Sequence, residues 1–246
     1  MSLVELAALE GLPEIDEGDD LGVALRKANG GEFQSDELLV IAHKVVSKAE
    51  GSVAELAEVE PSPRAIEIAA RQQRDPRQVE VILGQSDELL REEGQLLICR
   101  THHGLICANA GVDASNSGAP DRLVLLPRDP DASARQLRAA LPGNPAVLIT
   151  DSFGRAWRLG QVDVAIGLAG LAPLDDWRGR SDSDGRTLSG TLLAVADAAA
   201  AAADLARSKS GSVPAVVVRG LGHFISSDDG PGAAALQRPA SEDLFL

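Results

Sequence analysis

Apolar and polar positions alternate along this chain in blocks that end abruptly. Val147 to Thr150 is a short β-branched apolar run, long enough for a buried strand and too short for a helix of its own. It stops at Asp151, and a hydroxyl, a glycine, Arg155, Trp157 and Arg158 follow before a second apolar run, Val162 to Leu168. This reads as a strand delivering a carboxylate into a polar, cationic loop. Asp36 to Ala42 is another strand candidate, emptying into His43, Lys44 and Lys48. Leu96 to Arg100 and Leu105 to Asn109 read as a hairpin with His102, His103 and Gly104 in its turn. Strands are also expected from Leu123 and across VPAVVVRGLG.

Helical stretches carry their own punctuation. Asp19 and Asp20 stand where they would cap a helix from Leu21 to about Ala28. Residues 61 to 76 form a proline-bounded helix with Ile66, Ala69 and Ala70 on one side. The VEVILGQSDELLREEG stretch continues as a strand or short helix and then an acidic helix. A helix from Asp131 is ended by Pro142 and Gly143, and TLLAVADAAAAAADLARSKSG reads as a long Ala-rich helix that packs closely, in the interior or against a second subunit. Strands and helices mix without regular βαβ alternation. The expected fold class is therefore mixed α/β of the α+β kind, a mixed sheet with flanking helices, with neither a P-loop nor a Rossmann fingerprint. The 246 residues read as one domain, or two intertwined subdomains, with a flexible tail from 224 to 246.

Composition narrows the function. A formal net charge of -14 argues against sequence-independent nucleic-acid binding, so any anionic ligand must be met by local cations. No run of about 18 apolar residues and no basic-then-apolar leader is present, which makes a cytoplasmic location the default and a membrane partner unexpected. Cys99 and Cys107 match no zinc or redox spacing and read as small buried residues. Aromatic residues make up only 2%, so the core must be aliphatic. Adjacent His102 and His103 would point opposite ways in a turn, a poor geometry for a shared metal.

Three polar segments at strand exits remain: His43 to Lys48, Asp113 to Asn116, and Asp151 to Arg158. Lysines and a histidine suit nucleotide phosphates, and Asp113 suits a hard cation. Asn116 suits a hydroxyl or base edge, and Arg155 and Arg158 are candidates for substrate or phosphate. Alternatively, Asp113 and Asn116 serve only Asx-turns, and Asp151 only caps its own turn.

The segments GLPEIDEGDDL, HKVVSKAEG, CANAGVDASN, TDSFGRAWRLGQVDVAIGLAG and VPAVVVRGL together resemble the coenzyme F420-0:γ-glutamyl ligase family, including the ligase half of its two-domain bacterial form. The resemblance runs in order from about Leu9 to Gly222. It implies a homodimeric enzyme that uses GTP, Mg²⁺ or Mn²⁺ and K⁺ to join L-glutamate to coenzyme F420-0 through an acyl phosphate, then extends the tail by γ-linkages. It places the nucleotide along Leu12, Pro13, Glu14 and Ile15, with His43, Lys44, Lys48 and Asn116. It assigns the metal to Asp113, Asp151 and Ser152, and the chemistry to Asp113, Asp151 and Lys48. Two-domain relatives continue past an RPxxEDLF-like segment into a flavin-binding domain. This chain has RPASEDLFL and stops, so no flavin is expected. Departures are Lys209, where some relatives place a carboxylate or amide for a second metal, Ala198 after Asp197, and a loop 175 to 190 without tyrosine. These leave open a catalytically weakened nucleotide-binding relative, or a GTP-dependent ligase for another carboxylic acid.

Overall fold

The computed structural model describes residues 3–207 and 213–243. In chain order the elements begin with β1 (Glu5–Ala8), α1 (Leu21–Ala28), β2 (Leu38–Ala42), α2 (His43–Ala49) and β3 (Val53–Glu55). Next come α3 (Pro63–Gln72), α4 (Pro76–Gly84), β4 (Ser86–Glu93), β5 (Leu96–Thr101), β6 (Ile106–Ala108), β7 (Arg122–Val124) and α5 (Pro130–Ala140). The chain continues through β8 (Ala146–Arg155), β9 (Arg158–Ala169), β10 (Leu174–Asp176), β11 (Leu192–Ala194), α6 (Val195–Ala206) and β12 (Ala215–Arg219).

The main sheet is mixed and five-stranded, in the order β1-β12-β2-β8-β9. Its neighbours are antiparallel except β2 and β8, which run parallel at its centre. Helices cover both faces, which is why β2 is buried from Leu38 to Ile41 without a polar break. Strand alternation divides the core. Leu39, Ile41, Val147, Ile149 and Val217 face Leu21 and Leu25 of α1, Val45 and Val46 of α2, and Leu137 of α5. Leu38, Val40, Leu148, Val216 and Val218 face Ala196, Ala199, Ala200 and Ala203 of α6. The small face of α6 is thus spent on the sheet, where alanines allow close approach. Gly167 of β9 allows the same for α5, since a Cβ there would lie 2.3 Å from the Pro130 carbonyl oxygen.

Local signals explain the helix boundaries. The Asp20 side chain accepts from the Val23 N–H at 2.9 Å and starts α1 where expected. Such a cap contributes about 1 kcal/mol, and full burial of a side chain such as Leu25 about 2 kcal/mol, so docking on the sheet outweighs capping. Ser62, Asp75 and Asp129 cap α3, α4 and α5, each with proline in the first turn.

Four expectations are corrected. SDELLREE is not an acidic helix but strand β4, paired with β5. In α3 the buried face is Ala65, Ile68, Ala69 and Gln72, while Ile66 and Ala70 are exposed. The start of the Ala-rich stretch, Leu192 to Ala194, is strand β11, which pairs with β10 before α6 begins. Residues 151 to 158 are no loop: β8 runs on through Arg155 and turns directly into β9, forming a long hairpin.

A smaller sheet, β4-β5-β6, packs with α3 and α4 around Ile68, Val79, Ile82 and Leu97. Cys99 and Cys107 are buried, reduced and directly opposite each other in its register. Burial raises both thiols, Cys107 to about 12 with the nearby Asp151 charge adding to the effect. The two histidines of the turn go separate ways. His103 meets the Pro127 carbonyl at 2.9 Å, while His102 meets the Gly84 carbonyl at 2.9 Å through Nε2 and Asp87 at 2.5 Å through Nδ1.

Two acceptors on one ring favour the imidazolium. The Gly84 carbonyl, and then Asp87, hold the His102 pKa above its ordinary value. A raised folded-state pKa adds stability that is complete below about pH 6.5 and fades as pH rises through the folded pKa. The ring is half exposed, so the gain is no more than about 1 kcal/mol. In urea, the wild type should therefore exceed His102→Gln in stability at pH 5.5 and lose that margin by pH 9. A margin independent of pH would refute this role.

Candidate active site

The site begins at the junction of β2 and α2, where the strand passes into the helix with no linker. This puts His43 in the first helical turn, directly beyond a buried strand. Lys44 and Lys48, four residues apart, then lie on one helix face. The neighbouring parallel strand β8 brings Thr150 level with Ala42 and carries Asp151 and Ser152 just past the end of β2.

These elements wall a cleft of about 470 Å³. Every nucleotide position expected from the sequence lines it: Leu12, Pro13, Glu14, Ile15, His43, Lys44, Lys48 and Asn116. Asp151 and Ser152 line it too. Asp113 is not on the wall, but its Oδ2 sits 2.6 Å from the Lys44 ammonium at the rim. Arg155 and Arg158 are brought elsewhere, to the exposed tip of the β8–β9 hairpin, where Arg155 donates to the carbonyls of Leu159 and Gly160.

Cations and acids are paired across the cleft. Lys48, only 7% exposed, reaches the carboxylate of Glu14, which is 69% exposed. His43 is buried; its Nδ1 lies 3.2 Å from the Ser47 hydroxyl, and its Nε2 lies 3.3 Å from Asp151 Oδ1 without hydrogen-bond alignment. Burial works against the Asp113 carboxylate, but Lys44 and the Ser115 N–H, which donates at 2.6 Å, together hold its pKa below the ordinary range. Asp113 therefore makes the Asx-turn contact and the ion pair at once. Asn116 adopts φ 54°, a left-handed conformation that asparagine tolerates.

Sequence reasoning missed a buried acid at the floor. Asp163 of β9 is 3% exposed and stands opposite Ser152. It accepts from the Ser152 hydroxyl at 2.6 Å, from the Thr150 hydroxyl at 2.7 Å and from Arg207. Arg207 is buried beside it, and desolvation lowers the guanidinium pKa against the opposing charges of Asp163 and Asp204. Thr150, Asp163, Asp204 and Arg207 all line the cleft. The available signal was a lone charge inside the apolar run VDVAIGL, since a buried charge implies a partner.

The donor set suits a hard divalent cation. Asp151 and Ser152 both line the cleft, and Asp113 waits at the rim. No group of three or more His, Cys, Asp or Glu side chains forms a metal cage among the described residues. Of the departures, Ala198 is exposed on α6 and does not line the cleft, and Lys209 lies outside the described residues. Among the described residues, no helix is long and apolar enough to cross a membrane.

The fold is a mixed α/β one of neither P-loop nor Rossmann kind, and acids, cations and hydroxyls converge on one cleft in it, the setting of an enzyme. The model of the F420-0:Gamma-glutamyl ligase family matches residues 11–220, and the chain belongs to that family. It is 45% identical to the coenzyme F420:L-glutamate ligase of Methanothermobacter thermautotrophicus, over 98% of each chain. Identity to the coenzyme F420:L-glutamate ligase of Methanopyrus kandleri is 43%, over 93% of this chain and 92% of the relative. To the enzyme of that name from Natronomonas pharaonis it is 43%, over 98% and 94%.

Proposed function

We propose that this protein joins L-glutamate to coenzyme F420-0, with GTP as phosphoryl donor, and extends the tail through γ-glutamyl linkages. The observation that carries the reading is the convergence of Leu12 to Ile15, His43, Lys44, Lys48 and Asn116 with Asp151 and Ser152 in one cleft. The relatives' names support the acceptor and the amino acid.

Phosphoryl transfer asks a protein for alignment and charge neutralisation more than for covalent chemistry. Lys44 and Lys48 supply the positive charge. Glu14, the partner of Lys48, is 69% exposed, so a triphosphate can replace it at small cost, and Asp113, the partner of Lys44, is 39% exposed. The acceptor carboxylate attacks the γ-phosphorus, GDP leaves, and an acyl phosphate results. The glutamate amine then attacks the acyl carbon, and phosphate leaves as the amide forms. Asp113, Asp151 and Ser152 would hold Mg²⁺ or Mn²⁺, which neutralises charge on the phosphoryl oxygens. K⁺ would balance the remaining phosphate charge, and a homodimer in the cytoplasm is the proposed working form. Leu205 and Ala198 are exposed on α6, where they would be open to such a partner.

The test is GDP release from GTP with Mg²⁺ or Mn²⁺, K⁺, L-glutamate and coenzyme F420-0. Release should require both acceptor and glutamate and yield a product heavier by glutamyl units. Nucleotide binding without such turnover would identify a weakened relative instead, and turnover with a different carboxylic acid would reassign the acceptor.

A further inference from the structure

Asp163 has a use beyond neutralising Arg207. Its carboxylate oxygens can only accept hydrogen bonds, and a hydroxyl has one proton to give. Ser152 therefore spends its proton on Asp163 Oδ1, and Thr150 spends its own on Oδ2. Thr150 also accepts from Arg207 at 3.1 Å, which leaves it little to offer a ligand. Among the described residues the Ser152 hydroxyl makes no such second contact, and Ser152 lines the cleft with Asp151. Its oxygen thus meets the cleft with lone pairs alone.

We propose that Asp163 is a positioning residue that fixes Ser152 as a pure acceptor toward the cleft, matched to a divalent cation and mismatched to a second donor. The cation itself rests on the proposed ligase reading. A register shift builds the arrangement. Ile149 stands opposite Gly167, but Thr150 stands opposite Ala165, so Ile166 is an extra residue in β9. Without that bulge Ser152 would face Val164. With it, Ser152 faces Asp163, and the bulge lies immediately before the site, where such features re-aim side chains. Asparagine at 163 would keep the shape and reverse the logic. Its amide can donate to Ser152, turning the hydroxyl proton toward the cleft and against a cation.

The experiment is a calorimetric titration of Mn²⁺ into the full chain with saturating GDP, comparing wild type, Ser152→Ala, Asp163→Asn and the double variant. Asp163→Asn and Ser152→Ala should each weaken Mn²⁺ by about 10-fold or more, the range for residues that orient metal ligands. The double variant should be no weaker than the worse single one, because both remove the same oxygen from service. Mn²⁺ affinity in Asp163→Asn within twofold of wild type, or losses that multiply in the double variant, would overturn the proposal. Absence of Mn²⁺ binding in the wild type would instead overturn the proposed metal dependence on which it rests. Asp163→Asn also leaves Arg207 buried opposite a neutral group. If that prevents folding, Asp163→Asn with Arg207→Met removes the orphaned cation, and the same tenfold criterion decides.

Discussion

Asp151→Asn is expected to fold as the wild type does and to lower acceptor-dependent GDP release by at least about 100-fold, more than is usual for a residue that only orients a metal ligand. The reasoning separates the two oxygens of Asp151. Oδ1 accepts the Ser152 N–H at 2.8 Å and lies near His43, and an asparagine oxygen can serve there equally well. The backbone of β8 therefore keeps its partner, and the thermal transition should move little. The second oxygen faces a different demand. An amide nitrogen in its place cannot ligate Mg²⁺ or Mn²⁺, and it brings two donors and no negative charge to the cleft proposed to hold a cation beside phosphate. Turnover within tenfold of wild type, in a protein that melts normally, would remove Asp151 from the chemistry and leave it a structural residue of the hairpin.

How much of this was legible in sequence depended on where each residue finds its partner. The continuous apolar run of β2, the Asp20 cap and the β5–β6 hairpin rest on local signals, and the chain folds there as the pattern implies. SDELLREE misleads because charge density resembles a solvated helix, whereas pairing with β5 decides its conformation; strand preference follows neighbours more than intrinsic tendency. Residues 151 to 158 mislead because the end of the β8–β9 arm is exposed, so its strands lack the apolar alternation of a half-buried sheet. In α3, choosing Ile66 rather than Ile68 as the buried isoleucine turned the face by about 200°, at roughly 100° per residue. The cleft was legible because its lysines, histidine and Asp151 follow apolar runs directly. Asp163 was not, for its partners lie across a bulged register and at Arg207, forty-four residues along the chain.

Lys48→Met and Glu14→Gln should have unequal effects, and the inequality is what distinguishes a phosphate ligand from half of a salt bridge. If Lys48 served only to pair with Glu14, removing either partner would show in stability alone, with no effect on nucleotide. If Lys48 meets phosphate, Lys48→Met should lower kcat/KM for GTP by about 10²–10³-fold, the usual loss when a preorganised donor to developing negative charge is removed. Glu14→Gln should leave GTP affinity unchanged or raise it, because the acid now competes with phosphate for the same ammonium. Lys48→Met strands no buried charge, since methionine follows the lysine stem through α2 and Glu14 returns to water, whereas Glu14→Gln leaves the buried Lys48 ammonium only a neutral acceptor and should lower stability without lowering GTP affinity. GTP titrations and initial rates on the two variants decide between the readings: equal, small losses would make the pair structural, and a loss confined to Lys48→Met would place the phosphate at Lys48 Nζ.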